Sequence, residues 1–232
     1  MSSDWAASAL AWWHEAGVDT LVDEAPRDWL NPRPAAAPAR VEAAPREAPP
    51  ADLAAFQAWL LSSDGLPGAS GGGTRVGPAG DPAAGLMVMV DMPSAEDVAA
   101  GTLLSGEPGR LFDRMLGAIG RGRDTLYLAS LSPIRFPTGQ LDGDDTATLA
   151  EIARHHVGLV APAALLLFGD ACAKALLGCT VPRARARWHE LATPTGPVRT
   201  LATIRPEKLI GQPNLKKHAW EDLQLLREGL KG

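Results

Sequence analysis

LMVMVDMPSAEDVAAGTLLSGEPGRLFDRML, residues 86–116, joins a buried strand to a helix through a loop that carries acids. Leu86 to Val90 is an apolar run without Pro or Gly, which suits a strand covered on both faces. Asp91 then leaves the sheet, and Pro93 and Ser94 turn the chain. Pro108 suits the first position of a helix running to about Ile119. Open α/β sheets place their chemistry outside the carboxyl ends of their strands, which is where Asp91 falls. The spacing by itself favours an ordinary strand, loop and helix with solvated acids, so context must decide.

Beyond Gly85 the pattern is regular. Strand candidates are Thr125 to Ser130 (TLYLAS), Ala164 to Phe168 (ALLLF) and Val198 to Ile204 (VRTLATI). Between them lie helical patterns over Thr146 to Leu159 and Asp170 to Leu177, the second entered through a turn at Gly169, and a last helix follows that Asn214 is expected to cap. Alternation of this kind predicts a three-layer α/β/α domain with a central, mainly parallel sheet. Its core spans 85–232, and the whole domain spans 52–232 when the helical DLAAFQAWLL at its start is included. Residues 1–23 read as an amphipathic helix with Trp5, Trp12 and Trp13 as a packing face. Residues 24–51 form a Pro/Ala-rich linker that buries too little apolar surface to fold alone. Ser62 to Gly85, rich in Gly, Ser and Pro, reads as a mobile loop, and its Gly71 to Gly73 run lacks the Lys of a phosphate-binding loop.

The net charge of −5 hides an asymmetry. Val181 to Gly232 holds ten Lys and Arg against five Asp and Glu, which leaves residues 1–180 at −10. A basic end suits a polyanion partner, although helices also carry such charges on solvated faces. No run reaches the ~20 apolar residues of a membrane span, and the acidic start does not resemble a signal peptide. A cytoplasmic protein is expected. Cys172 and Cys179 are the only cysteines. Two thiols complete neither a zinc nor an iron–sulfur site, and burial as small apolar side chains is the simpler reading. His155, His156, His189 and His218 lack partners at ligand spacing, so surface or satisfied core roles outweigh metal binding. A nucleophile elbow is also missing, which counts against a hydrolase of the serine type.

The order VDMPSAED, GTLLSGEPGRLFDRML, LYLASLSPIRFP, LLLFGDACAKALLG, ARARW and TIRPEKLIGQPNLKKHAWEDL resembles the family-four uracil-DNA glycosylases over roughly residues 86–230. The N-terminal helix and its tether are similar to those of the bacterial members. The resemblance implies a domain that flips deoxyuridine out of DNA and cleaves its N-glycosidic bond. It also implies departures. Val90-Asp91-Met92-Pro93-Ser94 stands where the family has Gly-Glu-Ala-Pro-Gly, keeping a carboxylate but losing both glycines. Leu104 stands at the base-stacking Phe, and Ser130 at the uracil-reading Asn. Arg205-Pro206 stands at the His-Pro of the second motif, where a guanidinium would stabilise an oxyanion or grip a phosphate. The cluster-binding cysteines are absent, with Ile134 at one of their places.

From the resemblance, Asp91 and Arg205 are the candidates for the chemical step, and Met92, Pro93, Leu104 and Ser130 the candidate base-pocket residues. Arg185, Arg187, Lys208, Lys216 and Lys217 are the candidate DNA contacts. No metal and no cofactor are expected, DNA is the expected partner, and the N-terminal helix is a candidate docking arm for a protein. Uracil-DNA glycosylase-like base excision with weakened, altered or lost hydrolysis is the function implied. A non-catalytic paralogue that binds DNA or protein is the alternative.

Overall fold

In a computed structural model the residues described are Trp12, 48–141 and 143–230. Residues 46–232 form one compact unit. The expected N-terminal helix and most of the linker, with Trp5 and Trp13, lie outside the described residues.

Six strands form one sheet: β1 (Ala79–Gly80), β2 (Leu86–Val90), β3 (Tyr127–Ser130), β4 (Ala164–Phe168), β5 (His189–Thr193) and β6 (Gly196–Thr203), in the order β1-β3-β2-β4-β6-β5. The inner four are parallel, while β1 and β5 pair antiparallel at the edges. Strand periodicity divides the core between the two faces of the sheet. Met87, Met89, Leu165 and Leu167 enter one cluster, and Leu86, Val88, Val90, Leu166 and Phe168 the other.

The helices described are α1 (Leu53–Ser62), α2 (Ala95–Ala100), α3 (Gly106–Ala118), α4 (Gly143–Val160), α5 (Asp170–Leu177), α6 (Val181–Ala184), α7 (Pro206–Gly211) and α8 (Lys216–Gly229). Helices α4 and α5 bring Leu149, Val157, Cys172 and Leu176 to the first cluster. Phe112 and Leu116 of α3, with Leu223 and Leu226 of α8, fill the second. Helix α1 packs beside α4 through Phe56, Trp59 and Leu60.

Several expectations need correction. Helix α3 starts at Gly106, with Ser105 before it, so Pro108 is its third residue. The first turn of a helix has no amide bonds for a Pro to break, which makes the earlier start compatible with it. Asn214 lies inside a 3-10 turn, Pro213–Leu215, and α8 begins only at Lys216. Strand β5 is an addition to the strands expected from the pattern, because HELAT has no apolar run and only Leu191 is buried. The loop from Ser62 to Gly85 is tied down rather than loose: Val76 is 1 % exposed and donates its N–H to the Pro133 carbonyl at 2.9 Å, and Arg75 bridges Ile134.

Candidate functional site

The site is set by strand register. Val90 pairs with Phe168, and Phe168 with Thr203, so β2, β4 and β6 end at one level. Asp91, Gly169 and Ile204-Arg205 therefore leave the sheet side by side. The chain runs from β2 to β3 on one side and returns with β4 on the other, so the β2/β4 boundary is the topological switch point, where such sheets open a crevice.

A cleft of about 830 Å³ lies there. Asp91 and Met92, Gly169 to Ala171, Lys174, Arg185, Arg205 and Lys208 form much of its wall. Gly169 has φ +102, and a Cβ on it would collide with the Asp91 carboxylate. Only glycine lets the acid fold back over the start of α5. There Oδ1 accepts the Cys172 N–H at 2.8 Å, and Oδ2 faces the Arg205 guanidinium at 3.8 Å. Burial pushes the Asp91 carboxyl above its ordinary value, against the pull of the Cys172 amide and of Arg205. An acid that is 11 % exposed thus faces a cation that is 51 % exposed.

The loop after Asp91 is held by Asp97, which is 2 % exposed. Its carboxylate accepts the Ser94 N–H at 3.0 Å and the Ser105 N–H at 2.6 Å, while the Ser94 hydroxyl accepts the Asp97 N–H at 3.0 Å. One buried side chain so joins the start of α2 to the start of α3, completing a capping box at the first.

Of the residues expected at the site, Asp91, Met92, Arg185, Arg205 and Lys208 share the cleft. Leu104, Ser130 and Pro93 do not line it. Leu104 is 2 % exposed and packs in the core cluster with Phe112 and Phe168. Its backbone is left-handed, φ 54, and Arg123 donates to the carbonyls of Leu103 at 3.0 Å and Leu104 at 2.6 Å while its guanidinium lies over the Phe112 ring. That clamp turns the side chain into the core and away from any base. Ser130 is half-buried beside Val90, and Pro93 is buried with its carbonyl accepting from Arg135 at 3.3 Å. Arg187, Lys216 and Lys217 are exposed outside the cleft lining.

Reading the sequence missed Lys174, His218, Glu207 and the acids behind Arg185. Burial pushes the Glu207 carboxyl up, with Arg205 opposing and Asp97 and Asp91 adding to the rise. Position two residues after Arg205 was the available signal for it.

A sequence model of the Uracil DNA glycosylase superfamily matches residues 78–224. The chain belongs to that superfamily. Uracil-DNA glycosylase-like function of the DNA-repair type is thereby its general role. The matched span starts just before β1 and takes in the switch-point cleft. Among the described residues no helix is long and apolar enough to cross a membrane.

The family-four likeness brings an iron–sulfur cluster with it, and the donors of this glycosylase-superfamily chain do not fit one. It has two cysteines. Cys172 is fully buried, its Sγ–H directed to the Met89 carbonyl at 3.8 Å, and burial pushes its thiol well above the usual value, the opposite of a reactive or metal-binding thiolate. Among the described residues no three His, Cys, Asp or Glu side chains group to hold a metal ion.

Proposed function

We propose that this glycosylase-superfamily protein engages DNA at the Asp91–Arg205 cleft and hydrolyses the N-glycosidic bond of a flipped base with weakened or altered chemistry. The observation that carries the reading is that a largely buried carboxylate and an exposed guanidinium face one crevice at the switch point. Excision needs a group that positions water and a group that stabilises charge on the departing base or grips the phosphate beside it. Asp91 suits the first task. With Oδ1 fixed by an amide, Oδ2 faces the Arg205 guanidinium at 3.8 Å and would orient a water beside it, and the raised pKa of the carboxyl makes the ionised form a stronger base. Arg205 suits the second, as a permanent cation.

Weakening follows from the pocket. A Ser130 hydroxyl does not offer the paired donor and acceptor of an amide in one plane, so uracil reading suffers. Leu104, clamped into the core, leaves no aromatic face for the base, a loss of about 1–3 kcal/mol of stacking. Arg187, Lys216 and Lys217 serve as outlying phosphate contacts in this reading. The proposed organisation is a helix at 1–23 that docks a protein partner, a tether at 24–51 and the glycosylase-like domain at 52–232, in a cytoplasmic protein.

A strand-cleavage assay on oligonucleotides with single uracil, hypoxanthine, xanthine or thymine lesions tests the chemistry. Slow release from at least one lesion is expected, lost in Asp91→Ala. If no lesion is processed above background while DNA is bound, the chemistry is gone and the binding-only alternative holds. Fast uracil release that survives Asp91→Ala would overturn the assignment of Asp91.

A further inference from the structure

Opposite Asp91 the cleft wall is built around one guanidinium. Arg185 follows α6, and its side chain is 17 % exposed. Its Nε donates to Asp222 Oδ2 at 3.3 Å, and its Nη2 to the His218 carbonyl at 2.7 Å and to Glu221 Oε2 at 2.9 Å, with Asp222 Oδ1 at 3.2 Å. Asp222 is wholly buried. It also accepts the Thr203 hydroxyl at 2.8 Å, at the end of the strand that leads to Arg205, and the Ala186 N–H at 3.0 Å. The last bond holds Ala186 in a left-handed backbone, φ 61, which an L-residue adopts only at a cost.

This anchoring uses one edge of the guanidinium. The two N–H groups of Nη1 have no partner among the described residues, although Arg185 lines the cleft. Lys174 and Lys208 line the same cleft, are exposed, and make no ion pair among the described residues. Against the four cations Lys174, Arg185, Arg205 and Lys208 stand Asp222 and Glu221, which hold Arg185, Asp91, which faces Arg205 at 3.8 Å, and Asp170, whose Oδ1 accepts the Val181 N–H at 2.8 Å, so among the described residues the two lysines are the cleft cations without an acid.

We propose that the Arg185 wall of the cleft is a phosphate subsite, in which Arg185 Nη1 donates to a phosphate oxygen and Asp222 is the positioning residue that aims it. A guanidinium locked along one edge loses little entropy when it binds, and its remaining nitrogen offers two N–H donors in a fixed plane, as a freely rotating ammonium does not. The phosphate belongs either to a DNA backbone, which rests on the DNA-binding reading above, or to a free phosphate or nucleotide, which does not.

Two arms separate these sources. In the first, inorganic phosphate is titrated at constant ionic strength into the ¹⁵N-labelled full chain, with the Arg185 side-chain N–H signals followed. A saturable shift is expected in the wild type and in Arg114→Ala, an exposed cation away from the cleft. In Glu221→Gln, a surface change that should leave folding intact, and in Asp222→Asn where it folds, the affinity should fall by about tenfold, the loss of one charge-assisted hydrogen bond. In the second, a short oligonucleotide replaces phosphate, and Arg185→Lys is expected to bind about tenfold more weakly although its charge is kept. Phosphate binding at Arg185 without oligonucleotide binding assigns the subsite to a free phosphate and overturns the DNA reading alone. Oligonucleotide binding that is unchanged in Arg185→Lys, with no phosphate shift at Arg185, overturns the subsite and leaves the DNA reading standing.

Discussion

Asp222→Ala is expected to lower the unfolding free energy by about 3–5 kcal/mol, the usual cost of removing one partner from a buried ion pair. The carboxylate is fully buried and serves Arg185, Thr203 and Ala186 together. Its loss strands the buried Thr203 hydroxyl and takes one partner each from the Arg185 guanidinium and the Ala186 amide. Burial pushes the Asp222 carboxyl up, and the Thr203 hydroxyl, Arg185 and the Ala186 amide pull against that rise. The acid therefore stays in the core only because its hydrogen bonds are filled. Urea unfolding followed by far-ultraviolet circular dichroism measures the change. A shift within about 0.5 kcal/mol, typical of a surface substitution, would show that the brace contributes little.

Acid is expected to cost the fold several kcal/mol through His156 alone. This residue is 2 % exposed, and burial pushes its imidazole down to about 3, with His155 adding to the effect. The Gln57 side-chain amide donates to the Tyr127 hydroxyl at 2.7 Å, and that hydroxyl lies 2.9 Å from His156 Nε2. With Gln57 as donor the hydroxyl keeps its own proton to give, which suits a neutral imidazole that accepts at Nε2. In the unfolded chain the same ring titrates near 6.5. The folded value is the lower, so the stabilisation is complete above 6.5 and is lost as pH falls toward 3, at about 1.4 kcal/mol per pH unit.

Asp91, Asp222 and Glu207, whose carboxyls are raised, act in the opposite sense as they gain protons. The comparison that isolates the histidine is therefore with His156→Gln, in which the slope between pH 6.5 and 4 should flatten even though the variant is less stable at pH 7. Parallel stability curves for the two proteins would contradict a neutral His156.

Strands with continuous apolar runs were legible in the sequence. Leu86–Val90 and Ala164–Phe168 are found where the pattern put them, because a strand buried on both faces needs apolar residues throughout. Asp91 at the mouth of β2 followed from that boundary. The direction of a side chain did not follow. Resemblance gives Leu104 a place in the chain, but Arg123, 19 residues away, turns it into the core. Arg185 reads as a surface cation, yet the acid that fixes it lies 37 residues further on. Gly169 was legible as a turn, and its close approach to Asp91 appears only when β2 and β4 pair in register. Strand β5 stayed hidden because an edge strand with one buried residue carries no periodic signal.

Engagement of DNA by the Asp91–Arg205 cleft is tested most directly by the salt dependence of binding to a uracil-containing oligonucleotide, comparing the wild type with the Arg205→Ala, Lys208→Ala double variant. Each phosphate contact contributes about −0.9 to the slope of log K against log salt on duplex DNA and about −0.7 on a single strand. The double variant should bind more weakly at low salt, with a slope shallower by about 1.4 to 1.8. Identical affinity and slope in the two proteins would contradict a DNA site at this cleft.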